Sequence, residues 1–497
     1  MEVRKTILPN AHGRLAGALL LTAIAALSGA CSDGSDSPAY PTSPPAGFVD
    51  TNSQAGMPAL PQLPGGRPGN LELLEPAERE VVAAADARVA DIRSRPIQLW
   101  IDTPDTEVNI VQLRHGFAFG FPIELARFHD PDDLAWFTAR MAEHFSIAVL
   151  ESDAKWARVE HEPGARDFSR ADADTDWALE NGFKVKGHTL LWGIPMPLSS
   201  AALPQWAEDM FPSTDLSEDE KAQLRGILKA FIQDSVRHYA GRLDWWDVTN
   251  ESLQPLAQWF NDRLGPEIVN DAFRWAREAD PDVKLIFNEW IVEVFTGFPS
   301  PTAAQVRDRV LQLLADGVPI DAVGQQAHFA PTASFVDPNY DIQGRTRIDD
   351  YATALDLLGE TGLPVHLTET NFIAPTEPEL RAAQAEALMR LWWGHPAVEM
   401  IVFWGPWNKV AGRDEFDVGF WDDERKVTRH GEVVFSLLND RWRTRASMTP
   451  DAQGLMSLDA VYGDYVAYWT VDGVTYHANF SVRKEDDLAA FALRTPR

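Results

Sequence analysis

Two glutamates stand where strand-like segments end and loops begin. The segment LDWWDVTNES, from Leu243 to Ser252, is an apolar run that ends in Asn250 and Glu251. The segment LPVHLTETN, from Leu363 to Asn371, has the same pattern and contains Glu369. A pair of carboxyl groups facing one cleft is what the hydrolysis of a glycosidic bond by a two-carboxylate mechanism needs. This chemistry requires a fold that brings both strand ends to the same rim.

Polar and aromatic side chains also follow the other strand-like runs. A lone histidine in such a place is more often a hydrogen-bonded core residue, and each glutamate alone could be a structural carboxylate. Several such groups together favour a cleft, because burying them unpaired would cost roughly 1–3 kcal/mol each. Besides the two glutamates, the candidates are Glu151, Lys155, His188, Trp192, Asn250, Gln326, His328 and Trp404.

Eight strand-like runs alternate with helical segments over residues 115–440. Such alternation is typical of parallel strands joined by crossover helices. It predicts an α/β fold, a (β/α)8 TIM barrel, whose strands place their carboxyl ends on one face. A doubly wound open sheet is the competing architecture, but no G-x-G-x-x-G or Walker-type loop follows any run. The runs are HGFAFGFPI, FSIAVLES, FKVKGHTLLW, LDWWDVTNES, VKLIFNEW, IDAVGQQAHF, LPVHLTETN and EMIVFWGPW.

The segments on either side of the predicted barrel have other patterns. Residues 31–70 are rich in Ser, Asp, Pro and Gly and poor in large apolar residues, which predicts a disordered tether. Residues 71–114 are predicted as a lead-in of one helix and short strands. Residues 441–497 alternate apolar and polar side chains around Asp472-Gly473, which indicates a hairpin within a small C-terminal β appendage. This appendage either caps the barrel or binds glycan.

Residues 1–30 have the layout of an export signal. Basic residues precede an apolar run from Leu15 to Leu27, and small residues stand directly before Cys31. This arrangement is typical of a signal peptide, and a cysteine in this place resembles the lipobox of bacterial lipoproteins. A plain secretory signal with an incidental cysteine is the alternative. We expect a lipidated Cys31 that holds the protein in a bacterial cell envelope, on its periplasmic or surface side.

Composition narrows the classes of partner. The formal net charge of -30 argues against binding nucleic acid or an anionic membrane surface, because both would repel the chain. Contact with the membrane is therefore expected only through the N-terminal lipid. One cysteine cannot form a disulfide within the chain, and the twelve histidines show no helical H-x-x-x-H pair, so no metal and no cofactor are expected. The absence of G-x-S-x-G disfavours a serine esterase.

The motifs GHTLLW, WWDVTNES, DAVGQQAHF and HLTETN resemble, in that order, the strand-end motifs of glycoside hydrolase family 10, the endo-β-1,4-xylanase family. The resemblance covers about His115 to Leu438, and the flanking segments resemble appendages of a divergent branch. It implies that Glu251 is the acid/base and Glu369 the nucleophile. It further implies that the remaining candidates bind substrate: Asn250 at the sugar 2-hydroxyl, His328 beside the nucleophile, Lys155, His188 and Gln326 on the glycone side, and Trp404 as an apolar floor.

Four departures from the family pattern are expected to border the sugar subsites. The family usually has Asn where this chain has Ser152, His where it has Gly193, Asp-Tyr where it has Glu289-Trp290, and Thr-Asp where it has Pro406-Trp407. The sequence therefore predicts a retaining glycoside hydrolase acting on internal β-1,4 linkages of xylan. Two alternatives stay open: a barrel glycosidase of the same mechanism on another polysaccharide, and a non-catalytic surface lipoprotein that binds glycan.

Overall fold

The computed structural model describes residues 40–294, 300–329, 347–373, 375, 377–410, 417–485 and 489–496. The chain divides into two units, Met1–Tyr40 and Pro41–Arg497, and the strands and helices below belong to the second. The predicted signal peptide, Cys31 and the tether as far as residue 39 lie outside the described residues. None of the described helices combines the length and the apolar character needed to cross a membrane.

Four strands and one long helix precede the barrel. The helix starts with a capping box between Glu75 and Glu78 and has Pro76 at its first position, and both features favour helix initiation. It corresponds to the helix that the sequence predicts in the lead-in. The elements are β1 (Val49–Asp50), β2 (Gln54–Ala55), α1 (Pro76–Arg93), β3 (Ser94–Ile101) and β4 (Val108–His115).

Eight parallel strands close into a barrel, which confirms the predicted TIM-barrel fold. Side chains fill the interior and helices cover the outside, so these strands are buried on both faces. The strand that carries Glu369 is buried at each of its eight positions. The strands from here to the end of the barrel are β5 (Ala118–Ile123), β6 (Ile147–Leu150), a hairpin of β7 (Glu160–Glu162) and β8 (Ala165–Arg166), β9 (Lys184–Trp192), β10 (Trp245–Asn250), β11 (Lys284–Trp290), β12 (Ala322–Phe329), β13 (Val365–Phe372) and β14 (Val398–Phe403).

Several barrel helices begin at residues whose side chains accept hydrogen bonds from the first backbone N–H groups of the helix. Ser217 and Glu220 form a capping box at the start of the longest helix, and Thr302 and Gln305 form another, which supplies partners to donors that a helix start leaves open. The helices are α2 (Pro131–His144), α3 (Trp156–Val159), α4 (Ser169–Glu180), α5 (Gln205–Met210), α6 (Glu218–His238), α7 (Trp259–Leu264), α8 (Glu267–Ala279), α9 (Ala303–Ala315), α10 (Ile348–Gly359), α11 (Pro378–Trp393) and α12 (Arg429–Phe435), followed by a π-helical turn (Ser436–Arg441).

Five further strands follow the barrel. Together with β1 to β4 they form two β-sheets that pack face to face. The two sheets have the strand orders β1-β19-β3-β16 and β15-β4-β17-β18-β2, and their facing side chains share one apolar core. The hairpin predicted around Asp472-Gly473 joins β17 to β18, and both turn residues have positive φ, as the tight hairpin turn requires. These strands are β15 (Arg445–Met448), β16 (Leu455–Val461), β17 (Gly463–Val471), β18 (Val474–Val482) and β19 (Ala490–Leu493).

The strands of the predicted lead-in and of the predicted C-terminal appendage thus form one β domain rather than two separate additions, whereas α1 packs into the core of the barrel. Leu99 of β3 lies opposite Met456 of β16, and His115, which the sequence analysis placed at the start of the barrel, is the last residue of β4 and lies opposite Gly463. The first barrel strand begins at Ala118. Pairing between segments so far apart in sequence leaves no local pattern, which is why the sequence analysis separated them.

Residues 41–70 also differ from the predicted disordered tether. Beyond the strand pairs of β1 and β2, Arg67 forms ion pairs with Glu379 and Glu432 at 3.0 and 3.2 Å. A Cβ atom added to Gly66 would lie 1.8 Å from the backbone oxygen of Glu432. Glycine therefore allows this segment to lie directly against a barrel helix, a use of glycine that composition alone does not distinguish from a flexible linker.

Candidate active site

The register of the barrel strands brings the predicted residues to one rim. Asn250 at the end of β10 lies beside Trp192 of β9 and Asn288 of β11, and Gln326 of β12 lies beside Glu369 of β13. Register shifts interrupt these strands just before or at the site residues. Irregularities of this kind re-aim side chains next to active sites, and the rim is the carboxyl face on which TIM barrels carry out chemistry.

Glu251 is the first residue after β10. Its φ of +58° is a left-handed conformation that a residue with a side chain rarely adopts. Its carboxyl group accepts hydrogen bonds from the indole nitrogen of Trp192 and from Nε2 of Gln326, both at 3.0 Å. Withdrawal from water raises the pKa of Glu251, and the charge of Glu369 adds to the effect, against the opposing hydrogen bonds and Lys155. Glu251 therefore retains its proton better than an exposed glutamate.

Glu369 is surrounded by donors and cations. Nε2 of His328 lies 3.0 Å from one of its carboxyl oxygens, and Nδ2 of Asn288 donates to the other at 3.2 Å. Burial by itself would raise the pKa of Glu369, but the hydrogen bond to His328 and the positive charge nearby, that of Lys155 included, outweigh it and lower the pKa to about 2. Glu369 is therefore ionised throughout the neutral range.

Three amide side chains connect the two glutamates. Gln326 donates to Glu251 and also to Oδ1 of Asn250 at 3.0 Å, and Asn288 donates to the same oxygen at 2.8 Å as well as to Glu369. The hydroxyl of Thr368 in turn donates to Asn288 at 2.5 Å. A continuous hydrogen-bonded path thus fixes the two carboxyl groups relative to one another on the rim.

Gly324 keeps the space that this path needs. It lies beside Asn288 in the β11–β12 register, and an added Cβ would stand 2.5 Å from Oδ1 of Asn288 and 3.0 Å from Cγ2 of Thr368. A side chain at this position would push Asn288 away from Glu369.

A buried charged group lies beneath the rim. Oδ2 of Asp247 accepts from Nζ of Lys186 and lies 2.7 Å from Nδ1 of His188. Nε2 of His188 is 3.9 Å from Glu369, and its ring meets Trp404 edge-on with 5.5 Å between centroids. Burial and the charge of Lys155 lower the pKa of His188. Asp247 therefore holds the imidazole in one orientation below Glu369, with Trp404 beside it.

Lys155 is a buried cation whose charge acts on both glutamates. Its ammonium group lies 4.8 Å from the centre of the Trp192 ring. Burial lowers the pKa of Lys155, whereas the charges of Glu151, Glu369 and Glu251 oppose this. Glu151 is itself held by Nη2 of Arg127 at 2.8 Å. The predicted glycone residues Glu151 and Lys155 therefore belong to the same electrostatic cluster as the catalytic candidates.

The departures from the family pattern fall in different places. Gly193 is packed so tightly that an added Cβ would lie 2.5 Å from the backbone oxygen of Ala257. Trp407 is buried against Trp136, with 4.7 Å between ring centroids, and its indole nitrogen donates to the backbone oxygen of Asp422. The ring of Trp407 therefore belongs to the hydrophobic core, and the expectation that the departures border sugar subsites stays a prediction.

Several residues of this cluster were not selected from the sequence. Asn288 was visible at the end of VKLIFNEW but received no role, although it contacts both Asn250 and Glu369. Asp247 and Lys186 are polar residues inside runs that are otherwise apolar, and a polar residue within a buried strand is a signal that could have identified them. Arg127 ends a short 3-10 helix, Leu125–Arg127, and gave no such signal.

The arrangement gives two chemically identical side chains, Glu251 and Glu369, different pKa values. One carboxyl group is biased towards its protonated form and the other towards its ionised form. This is the division of labour that allows one group to protonate a leaving oxygen while the other attacks the anomeric carbon.

Comparisons with known proteins agree with the barrel and the motifs. A family model described as Glycosyl hydrolase family 10 matches residues 111–425. The chain is 30% identical over 395 residues to the Anti-sigma-I factor RsgI6 of Acetivibrio thermocellus, an alignment that covers 78% of this chain and 46% of that protein. It is 30% identical over 327 residues to the Beta-1,4-xylanase of Dictyoglomus thermophilum, covering 59% of this chain and 82% of that protein.

Solved structures give the same result for the fold. The crystal structure of native xylanase 10B from Thermotoga maritima superposes with a TM-score of 0.53 at 25% identity, covering 65% of this chain and 95% of that one. The chain spans about half the length, or less, of several of the curated relatives that it matches.

Proposed function

The chain belongs to glycosyl hydrolase family 10, and on this premise we propose that it is a retaining endo-β-1,4-xylanase. The observation that carries the proposal is the contrast between Glu251 and Glu369, whose pKa values are displaced in opposite directions on one hydrogen-bonded network. A two-glutamate double displacement requires this pair of protonation states at the start of the reaction.

In the first step, Glu369 attacks the anomeric carbon of the sugar on the glycone side. The glycosidic C–O bond breaks, and Glu251 transfers its proton to the departing oxygen. The product is an ester between Glu369 and the sugar, and Glu251 is left as a carboxylate. Lys155 and the donors from His328 and Asn288 hold the Glu369 carboxylate in place before the attack.

In the second step, Glu251 acts as a base. It takes a proton from water, whose oxygen attacks the anomeric carbon and breaks the ester bond to Glu369. The two inversions leave the anomeric configuration unchanged. Because Glu369 has lost its charge in the intermediate, the repulsion that raised the pKa of Glu251 is removed at the moment when Glu251 must be ionised.

The proposed substrate contacts follow the family resemblance. Asn250 holds the 2-hydroxyl of the reacting sugar, Lys155, His188 and Gln326 line the glycone side with Glu151 and Trp192, and Trp404 forms the floor. The chain's net charge of -30 suits a neutral or weakly charged polysaccharide better than a polyanion.

The test is hydrolysis of a defined xylo-oligosaccharide together with a panel of polysaccharides. We expect reducing ends to be released from xylan, and the β-anomer of the product to appear first in proton NMR spectra. Initial appearance of the α-anomer would contradict the retaining mechanism. Cleavage of another polysaccharide but not of xylan would keep the mechanism and change the substrate. Tight binding of xylan without cleavage by any preparation would favour the glycan-binding alternative.

We further propose that Cys31 is lipidated and retains the protein in the bacterial cell envelope. The support is the order of basic residues, apolar run and small residues before Cys31. Metabolic labelling with a fatty-acid analogue is expected to mark the wild-type protein and to fail in a Cys31→Ala variant. Equal labelling of the two proteins would contradict lipidation at this cysteine.

A further inference from the structure

Glu289 is a buried carboxyl group that the proposed reaction does not use. It follows Asn288 on β11, and because successive side chains of a strand point to opposite faces, Asn288 faces the barrel interior and Glu289 faces the loop layer outside. Its side chain is 1% exposed. An acidic group of this kind is almost never buried without a specific set of partners.

The partners of Glu289 are three consecutive residues. Oε1 accepts from the backbone N–H of Leu253 at 2.8 Å and contacts the hydroxyl of Ser252 at 3.1 Å, and Oε2 accepts from Nε2 of Gln254 at 3.1 Å. The same Gln254 nitrogen donates to the backbone oxygen of Trp290 at 2.8 Å. The end of β11 is therefore tied at several points to the turn after β10.

This turn carries Glu251. The backbone N–H of Glu251 donates to the oxygen of Asn288 at 2.9 Å, and the N–H of Gln254 donates to the oxygen of Glu251 at 3.0 Å. The left-handed φ of Glu251 is unfavourable for a residue with a side chain and persists only where neighbouring groups enforce it. The contacts of Glu289 with residues 252–254 are part of that enforcement.

The other side of the turn is held by amide side chains from the following helical segment. Nε2 of Gln258 and Nδ2 of Asn261 donate to the backbone oxygen of Ser252 at 3.0 and 3.1 Å. Glu289 supplies acceptors from the barrel side, and these two residues supply donors from the loop side. The turn is thus held between β11 on one side and the segment of α7 on the other.

We propose that Glu289 is a positioning residue that holds the turn at residues 251–254 and so directs the carboxyl group of Glu251 towards the leaving-group oxygen. The inference rests on the proposed function, since it assigns Glu289 to the acid/base step. A carboxyl group suits the task because its two oxygens together meet an N–H, a hydroxyl and an amide. Burial raises the pKa of Glu289 to about 8, so at neutral pH it adds little negative charge beside Glu251.

The test compares Glu289→Met, which keeps a similar volume without the acceptors, with the conservative Glu289→Gln. Glu386→Met is the matched control, because Glu386 is a carboxylate buried to 2% exposure on α11, where it contacts Gly69 and Arg390 instead of the active site. Two substrates are used: xylohexaose, whose leaving group needs a proton, and dinitrophenyl β-xylobioside, whose leaving group departs without one.

If Glu289 positions the acid, Glu289→Met lowers kcat/KM for xylohexaose by about 10- to 100-fold, because correctly placed general acids contribute at least that much. The expected loss with the dinitrophenyl substrate is less than about threefold, and Glu289→Gln gives an intermediate loss with xylohexaose. Glu386→Met is expected to leave both values near wild type. An equal loss on both substrates, or no loss on xylohexaose, would overturn the assignment.

Hydrogen–deuterium exchange gives a readout that needs no substrate. The amide of Leu253 donates to Glu289, so a peptide covering residues 252–258 is expected to exchange faster in Glu289→Met than in wild type or Glu386→Met. Unchanged exchange would overturn the proposal that Glu289 holds the turn, even if the enzyme were active. Failure of the proposed function is recognised separately, because wild-type protein would then cleave neither substrate while the exchange result still decides whether Glu289 holds the turn.

Discussion

Glu251 and Glu369 are the same amino acid on the same rim of the barrel, yet their pKa values move in opposite directions. Glu251 accepts hydrogen bonds from an indole and an amide, both neutral, and its pKa is raised. Glu369 contacts a histidine and an asparagine close to Lys155, and its pKa is lowered to about 2. Both are withdrawn from water, so the identity of their partners decides which one keeps its proton.

The comparison shows how a symmetric pair of carboxyl groups acquires distinct roles. Desolvation raises the pKa of each, and only a sufficient number of cationic or strongly donating neighbours reverses it. His328 lies next to Glu369, whereas Trp192 lies next to Glu251. A substitution of one glutamate should therefore impair one step of the reaction. A substitution of a partner of one glutamate should shift one limb of the pH profile of kcat/KM.

Removing the nucleophile has the largest expected effect. We expect Glu369→Ala to lower kcat on xylohexaose by about 10⁴-fold or more, because the first bond-forming step loses its attacking group. Azide supplied to this variant with an activated aryl xylobioside should occupy the place of the lost carboxylate and give an α-glycosyl azide, detectable by NMR. Formation of the β-azide instead would contradict the nucleophile assignment. Glu386→Ala is the control for loss of a buried carboxylate.

Removing the acid/base should cost less and depend on the leaving group. We expect Glu251→Ala to lower kcat/KM on xylohexaose by about 10²- to 10⁴-fold, the range that general acid catalysis contributes. With a dinitrophenyl xylobioside kcat/KM should change far less, because this leaving group needs no proton. Azide should attack the ester on Glu369 and give the β-glycosyl azide, opposite to the product from Glu369→Ala. Equal losses on the two substrates would argue against an acid/base role.

Removing His328 should shift the acid limb of the pH profile. Activity on the acidic side is lost when Glu369 takes up a proton, and the hydrogen bond to His328 is the strongest influence that lowers this pKa. His328→Ala is therefore expected to raise the pKa of Glu369 and move the acid limb of kcat/KM to higher pH. His395→Ala, which removes a buried histidine paired with Asp356, should leave that limb in place. A shift to lower pH would contradict this role for His328.

The smallest effect is expected for Trp192→Phe, which keeps the ring but removes the indole donor. Activity on the alkaline side is lost when Glu251 ionises, and the Trp192 hydrogen bond favours the ionised form. Its loss should raise the pKa of Glu251 further and move the alkaline limb of kcat/KM to higher pH. Movement of that limb to lower pH would show that Trp192 acts on Glu251 in another way.

Much of the barrel and of the site could be predicted because their signals are local. A buried parallel strand is a short apolar run; Glu251 stands immediately after such a strand, and Glu369 lies in the second half of another. The structure brings these ends together in the predicted order. The link from Asn288 to Glu369 could not be predicted, because the amide of Asn288 on β11 reaches past β12 to Glu369 on β13.

The β domain and residues 41–70 were beyond local reasoning. Strand β4 precedes the barrel in the sequence, and its partner β17 follows the barrel. The role of Gly66 likewise depends on a distant residue, because Glu432 packs against it. The sequence analysis described the strands of the C-terminal segment correctly but could not assign their partners. The strands before and after the barrel can pair only because the folded barrel brings the two ends of its sequence together.

The sequence by itself determined the eight-unit barrel, the rim residues and the presence of two glutamates. These features are recognisable because a strand and the polar residues near its end lie within about ten consecutive residues. Only the tertiary structure decided in which direction the pKa of each glutamate moves, that Glu289 holds the turn that carries Glu251, and that the strands before and after the barrel form one domain. The physical reason is that pKa values and strand partners depend on distances between residues remote in sequence, and folding alone fixes those distances.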